Sequence, residues 1–493
     1  MRVRSSAKLC LALLSLAAMP AYAQTNPPGA DAEAADAITS SLAEIVSLAT
    51  LGTVTSQQRA AQVTRSGADY LVRLPLRGFL APPNAAVDAV ARPLDGGMWD
   101  IESMAFPLSG TVVSTMPNAD PGRITYSVGE QAWHGRVDPS FARQSSFAAK
   151  LSDVRIRSDL ADHRSEQSFE RCTLDGSMIA DPARTLSLAS RGEATNWRLT
   201  AHAAGGPGTD ALVRKLAGHF SVEGLDRAKG TRVLAAARAL MADAPAATPG
   251  QVLAPGQAPD ITPVQREELR ALVDAASGLL TRFQAEETMD DIRLTVGPGK
   301  SGSIGRMRLN VAGGVLDERL NARLDLAIDE FAMAALSPDV AAYVPHHVDL
   351  KSALSGVRTG PLMALLRDAT EPNADPAALQ ARFMALFGEA DAHIGIESLT
   401  FDSGPVRVTG SARIVPRADG KPGADIHLSA TGIDTLIAQA QGKPALQQAL
   451  PIMFIAKGMG RPEGSATVWD ITFGDGPMKV NGVPFGQPSA RRR

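Results

Sequence analysis

Aromatic residues make up only 4% of this 493-residue chain. So few rings offer little to stack on bases or sugars, and they leave a core built mostly of Ala, Val, Leu and Met. Cysteine is scarcer: only Cys10 and Cys172. With Cys10 in the leading apolar segment, a single thiol remains, so no internal disulfide can form and stability must come from burial. Cys172 reads as a small buried side chain rather than a nucleophile. Excess positive charge is also missing. The formal net charge is −3, which excludes the basic face a nucleic-acid binder needs. No stretch beyond the first 23 residues is long and uncharged enough for a transmembrane helix.

Recognisable chemistry is sparse too. Gly297-Pro298-Gly299-Lys300-Ser301 suggests a phosphate loop, but Leu294 stands where that motif needs its first Gly. No helix is expected behind it, so the run reads as a hairpin turn. Gly299-Lys300-Ser301-Gly302-Ser303 is not a nucleophile elbow, because Ser303 replaces the closing Gly. His346-His347 would point to opposite faces of a strand, a poor start for one metal site. His134, His163, His202, His219, His393 and His427 have no ligand spacing. Glu286-Glu287 and Asp290-Asp291 lack the alternate spacing of a cation loop and read as a solvated helix end. No catalytic, cofactor-binding or metal-binding residue is assigned, and no cofactor is expected.

What is present is an export signal and a strong β pattern. Residues 1–23 combine basic Arg2, Arg4 and Lys8 with an apolar run from Leu9 to Ala18 and an Ala21-Tyr22-Ala23 cleavage site. This is a secretory signal peptide, and cleavage moves the net charge to −6. Ala35, Ile38, Leu42, Ile45, Val46 and Ala49 then mark an amphipathic helix over 32–49. Short alternating runs follow: 70–79, 99–113, 123–128, 147–156, 169–179 and 185–202. Asp95-Gly96-Gly97, residues 117–122 and Asp175-Gly176 punctuate them as turns, and the rhythm argues an antiparallel meander. Met98-Trp99 reads as the cap of a core edge.

A helix is expected over 233–241. Residues 242–259 hold four prolines and read as a linker. Behind it, Thr262-Pro263 with Gln265 forms a capping box for a helix running to Phe283. A second β region begins at Ile292. Helices are expected over 331–336, 360–366 and 375–387, the last capped by Asp375. The last part alternates again: Val406, Val408, Gly410, Ala412 and Ile414, then Ile426, Leu428 and Ala430, then Trp469, Ile471 and Phe473. Leu436, Ile437, Leu446, Leu450 and Met453 are the helical stripes expected to bury Trp469, before an Asn481-Gly482 turn. His219 to Asp226 also echoes His427 to Asp434, with His, Ser, Gly and Asp shared.

Ile394–Leu399, Val406–Ile414 with Asp419-Gly420, the step from Ser429 to Leu436 and the ending Asp475-Gly476-Pro477-Met478-Lys479-Val480-Asn481-Gly482-Val483-Pro484 resemble a family of exported alphaproteobacterial proteins, a domain of unknown function. Tyr343-Val344-Pro345 before Leu354-Ser355-Gly356 adds to the likeness, which is strongest over 290–486. The resemblance implies an envelope location and a β-rich fold, and it brings no catalytic residues.

The sequence therefore predicts an α+β protein of two similar halves, each a curved antiparallel β-sheet meander packed on one or two helices. The divisions are a signal peptide (1–23), a β-rich half (24–243), a Pro/Ala-rich linker (244–261), an α+β half (262–486) and a basic tail (487–493). The expected function is periplasmic and non-enzymatic: an envelope scaffold, or a carrier of an apolar ligand such as lipid. The alternative is a periplasmic hydrolase whose site is assembled from residues distant in sequence. Lipid or another envelope component is the expected partner, with no transmembrane segment after cleavage.

Overall fold

The computed structural model of the chain describes residues 30–485, apart from 50–53, 79–83, 115–121, 139–142, 161–162, 181–184, 204–205, 241–261, 388–391, 416–422 and shorter interruptions. The segment read as a signal peptide (1–23), the expected linker (244–261) and the expected basic tail (487–493) lie outside the described residues, as does most of the helix expected over 233–241. The chain divides into two compact units, Met1–Ala285 and Glu286–Arg493.

The first unit opens with helix α1 (Ala30–Ala49), whose Ile38, Leu42 and Val46 repeat every four residues and are fully buried. Twelve antiparallel strands follow: β1 (Val54–Ser56), β2 (Gln62–Ser66), β3 (Asp69–Gly78), β4 (Ala86–Pro93), β5 (Trp99–Ala105), β6 (Ser109–Ser114), β7 (Gly122–Ser127), β8 (Glu130–Val137), β9 (Ser145–Leu160), β10 (His163–Ala180), β11 (Thr185–Ala203) and β12 (Thr209–Asp226). The helix seats on Tyr70, Val72, Leu74 and Leu76 of β3 and on Val87, Ala89 and Ala91 of β4. These are alternate residues of neighbouring strands and so share one face. Trp99 lies inside this core, edge-on to Tyr70 at 5.5 Å between ring centres.

Strands β9 to β12 run 16, 18, 19 and 18 residues. The short runs read from the sequence merge into them. Asp175-Gly176 makes no turn: Gly176 sits inside β10 because the Phe147 ring crosses it, and a Cβ there would lie 2.2 Å from the ring. The apolar alternation slips by one residue at a common level in all four strands. Leu151, Cys172, Ala194 and Leu216 lie in one row, and the next apolar pairs are Val154–Phe169 and Trp197–Val213. Asp153 and Asn196 absorb the slip in left-handed conformations, φ 50° and 52°, which Asn and Asp tolerate best among side chains with a Cβ.

Behind β12, Asp226 Oδ1 accepts from the Lys229 amide at 3.0 Å and starts a helical turn. Helix α2 (Pro263–Ala276) carries the expected capping box: Gln265 N donates to Thr262 Oγ1, and Thr262 N to Gln265 Oε1. This helix belongs to the first unit. Leu279, Leu280 and Phe283 after it pack on Met178, Leu186, Leu188, Val222 and Leu225.

Strand β13 (Arg282–Val296) contains the boundary between the units. It corrects the helix end expected at 286–291. These residues are in strand, Asp290 pairs with Arg306 at 2.7 Å, and Asp291 takes φ 50°. Consecutive acids had hidden the alternation there. Gly297 to Lys300 is a turn closed by Val296 N to Lys300 O, with Gly297 and Gly299 at positive φ.

The second unit continues with β14 (Ser301–Leu316), β15 (Arg319–Asp329), β16 (Ala332–Met333), β17 (His347–Arg358), helices α3 (Thr359–Asp368) and α4 (Pro376–Ala385), β18 (His393–Asp402), β19 (Arg407–Val415) and β20 (Gly423–Thr431). Helices α5 (Ile433–Gln441) and α6 (Leu450–Met459) precede β21 (Arg461–Glu463), β22 (Ala466–Phe473), β23 (Lys479–Val480) and β24 (Val483–Pro484). Asp375 caps α4 as read, accepting from Ala377 N. The helix expected over 331–336 is instead strand β16, held to β14. The pairing order β14-β15-β17-β18-β19-β20-β22 is antiparallel throughout. The chain is thus an α+β protein dominated by antiparallel sheet.

Candidate functional site

The cross-strand registers of the second unit sort its side chains sharply. One row of directly opposed residues reads Leu309, Leu326, Leu350, Leu399, Gly410, Leu428 and Trp469. The row on one side is Met307, Ile328, Val348, Phe401, Val408, Ala430 and Thr467, and on the other Val311, Leu324, Ser352, Ile396, Ala412, Ile426 and Ile471. A fourth runs Gly313, Ala322, Leu354, Ile394, Ile414, Ala424 and Phe473. Ser352 and Thr467 are the only polar side chains in these four rows. Opposed residues share a face, so seven strands present one continuous apolar surface.

Two features keep that surface in phase. A register shift between Ile396 and Leu399 returns both residues to the same side of β18. Gly410 makes room for its neighbour: a Cβ there would lie 2.6 Å from Leu428 Cδ2.

A sheet face of this kind is normally buried, and this one is not. Of the residues in the four rows, only Ala424 and Ala430 are fully buried. Leu324, Ile394 and Phe401 are exposed, and the rest are half-buried. Helical segments reach its margins: Leu362 of α3 and Phe387 pack with Leu320 and Leu354, and Trp469 Nε1 donates to Ala456 O of α6 at 2.7 Å. In the first unit, one face of β9 to β12 is largely closed, with Val154, Phe169, Leu186, Leu188, Leu199, Val213 and Val222 buried. Strand spacings of about 4.8 Å and a repeat of about 6.8 Å per two residues give the open face a footprint of roughly 600 Å². Only part of that footprint meets solvent, since most of its side chains are half-buried. Each 200 Å² of it newly covered is worth about 5 kcal/mol before the cost of association.

The opposite face is a charged ladder. Arg306, Asp329, His347, Asp402 and Arg407 stand in one row. His347 Nδ1 lies 2.6 Å from Asp329 Oδ1, and the adjacent His346 reaches Asp402 at 3.7 Å. The two histidines thus find different carboxylates. Among the described residues, no group of three or more His, Cys, Asp or Glu could hold a metal ion. Ser411, His427 and Asp470 form another cross-strand row, with His427 Nδ1 2.8 Å from Asp470 Oδ1. That order is the one a nucleophile, base and orienting acid would need, but His427 is about half exposed. His219, its counterpart in the sequence echo, is exposed on β12 opposite Arg191. The echo diverges locally: Asp226 is itself the cap after His219, whereas Gly432 caps α5 and Asp434 lies inside its first turn, paired with Lys457.

Two partly buried groups stand apart. Cys172 lies beside Val154, Phe169 and Trp197, and burial pushes its thiol up to about 11. That thiol is protonated at neutral pH and a poor nucleophile. Glu287 on β13 has Oε1 buried without a hydrogen-bond partner, and desolvation holds its carboxyl above the usual range. Sequence reasoning missed Asn481 as more than a turn residue. Its side chain donates to Met459 O at 2.8 Å and Val468 O at 3.2 Å, and accepts from Asp470 N at 2.8 Å. Among the described residues, no helix is long and apolar enough to cross a membrane. Compared with protein-family profiles, curated proteins and solved structures, the chain has no match.

Proposed function

We propose that this protein is a periplasmic, non-enzymatic carrier that holds lipid, or another apolar ligand of the envelope, on the open face of its second unit. The observation behind this reading is the four apolar rows across seven strands, left partly exposed between helices that reach only their margins. A core of small and flexible aliphatic side chains can adapt to an acyl chain without a rigid aromatic pocket. Export through the segment 1–23, kinship with the exported alphaproteobacterial family and descent of both units from one curved-sheet half belong to the same proposal.

The test is native mass spectrometry of protein purified from the periplasmic fraction. A co-purifying lipid is expected, and Leu350→Asp, in the middle of the face, should abolish its retention. A ligand-free protein, with no uptake of a fluorescent fatty acid, would reject the carrier reading.

The runner-up is a hydrolase, favoured by the Ser411–His427–Asp470 row. It requires fluorophosphonate labelling at Ser411 that His427→Ala abolishes. Absence of labelling removes it.

A further inference from the structure

The same unit ends in a second apolar surface, different in kind from the sheet face. On α6, Met453 and Ala456 turn inward, while Ile452, Phe454 and Ile455 are 71%, 50% and 56% exposed. The β23–β24 hairpin adds Met478, Val483 and Phe485, all exposed. Asn481 ties the two together through its bond to Met459 O, so helix and hairpin form one joined element. A globular protein buries such a helix face inward; here the apolar arc points out.

Charge indicates what covers it. From Gln441 to Arg493 there are seven Lys or Arg and three Asp or Glu, although the whole chain carries a net −3. Lys479 is exposed within the hairpin, and Arg491, Arg492 and Arg493 follow Phe485 within eight residues. Lys457 is paired with Asp434 and Arg461 with Glu463, so the excess rests on Lys479 and on the three arginines that follow in sequence, and exposed apolar side chains with such an excess suit the interface of an anionic bilayer. Its position agrees, because α6 meets Trp469, the end of one apolar row, so a lipid entering there would reach the open face.

We propose that α6 and the β23–β24 hairpin dock this protein on an anionic membrane surface. The final point, that docking feeds the sheet face, rests on the carrier reading; docking itself does not.

The experiment is co-sedimentation of the full chain with sucrose-loaded vesicles of phosphatidylcholine alone or mixed with phosphatidylglycerol. Binding to the mixed vesicles is expected, weakened by added salt. Ile452→Asp with Ile455→Asp should lower partitioning by about tenfold or more, with an unchanged melt because both side chains are exposed. Lys479→Glu should lower it several-fold on anionic vesicles only. Wild-type protein left in the supernatant, or variants that bind equally, overturn the docking proposal. So does a dimer, dissociated by the same aspartates, that binds no vesicles. Lost docking with lipid still co-purifying rejects docking alone, and docking by a lipid-free protein rejects the carrier reading alone.

Discussion

At the residue scale, Glu287 and Trp469 give the sharpest expectations. Burial raises the Glu287 carboxyl pKa, so the folded state holds its proton more tightly than the unfolded chain. Stability is then lost as pH rises from the unfolded value through the folded one, and the loss is complete above both. Glu287→Gln should therefore raise the melting temperature at pH 7, and the gain should vanish below about pH 4, where both states are protonated. Scanning calorimetry across that range reads the effect; a pH-independent difference would mean that packing, not ionisation, decides. Trp469 is only half-buried, against the expectation of full burial, yet it shares a face with Ile471 and Phe473 and bonds α6. Trp469→Ala should cost about 3 kcal/mol, and exposed Lys479→Ala within about 0.5 kcal/mol, in urea melts of the full chain. Equal small costs would mean that α6 does not depend on the ring.

At the element scale, the strand-to-helix step at Gly432 carries the strongest constraint. Gly432 has φ 79°, and a Cβ there would sit 1.8 Å from Pro405 O. Gly432→Ala must strain a left-handed residue and also move the 403–406 turn, at a cost of about 3 kcal/mol or more. Circular dichroism melts should show it, and a neutral outcome would mean that the turn yields freely. The bulge in β18 offers a different test. Deleting Ser398 removes the extra residue of the bulge and puts Ile394, Ile396, Leu399 and Phe401 at a strict period of two, so all four should stay on the apolar side of a regular strand. Retention of the lipid is expected in that variant, and its loss would mean that the bulge itself, rather than the phase of the rows, shapes the face.

At the scale of the whole molecule, two expectations concern residues outside those described. Intact mass of the exported protein should begin at Gln24, because the Ala21-Tyr22-Ala23 site follows a short apolar run. Recovery of a membrane-bound chain that retains Met1 would exclude cleavage. Limited proteolysis should cut first within 244–261, where proline and alanine dominate. The fragment behind that cut retains α2 and the Leu279–Phe283 packing segment, which belong to the first unit. The two pieces should therefore co-purify after cleavage; early separation would mean that this packing is weak.

The sequence alone determined what depends on neighbours along the chain. Period-two alternation located the strands, and helix-period spacing located α1 at Ile38, Leu42 and Val46. The caps at Thr262 and Asp375 needed only residues three positions or fewer apart. The same local signals failed where a distant contact overruled them. Asp175-Gly176 looked like a turn, because nothing nearby in sequence reveals the Phe147 ring that requires the glycine. Glu286 to Asp291 looked like a helix end, because paired acids conceal a strand that runs through Asp291 in a left-handed conformation. The open face was legible only strand by strand. Each strand announces one dry side, but register decides that seven dry sides coincide, and the placement of α3 and α6 decides that they stay partly uncovered. One such row runs from Leu309 to Trp469, 160 residues apart in sequence, and only the tertiary structure fixes it.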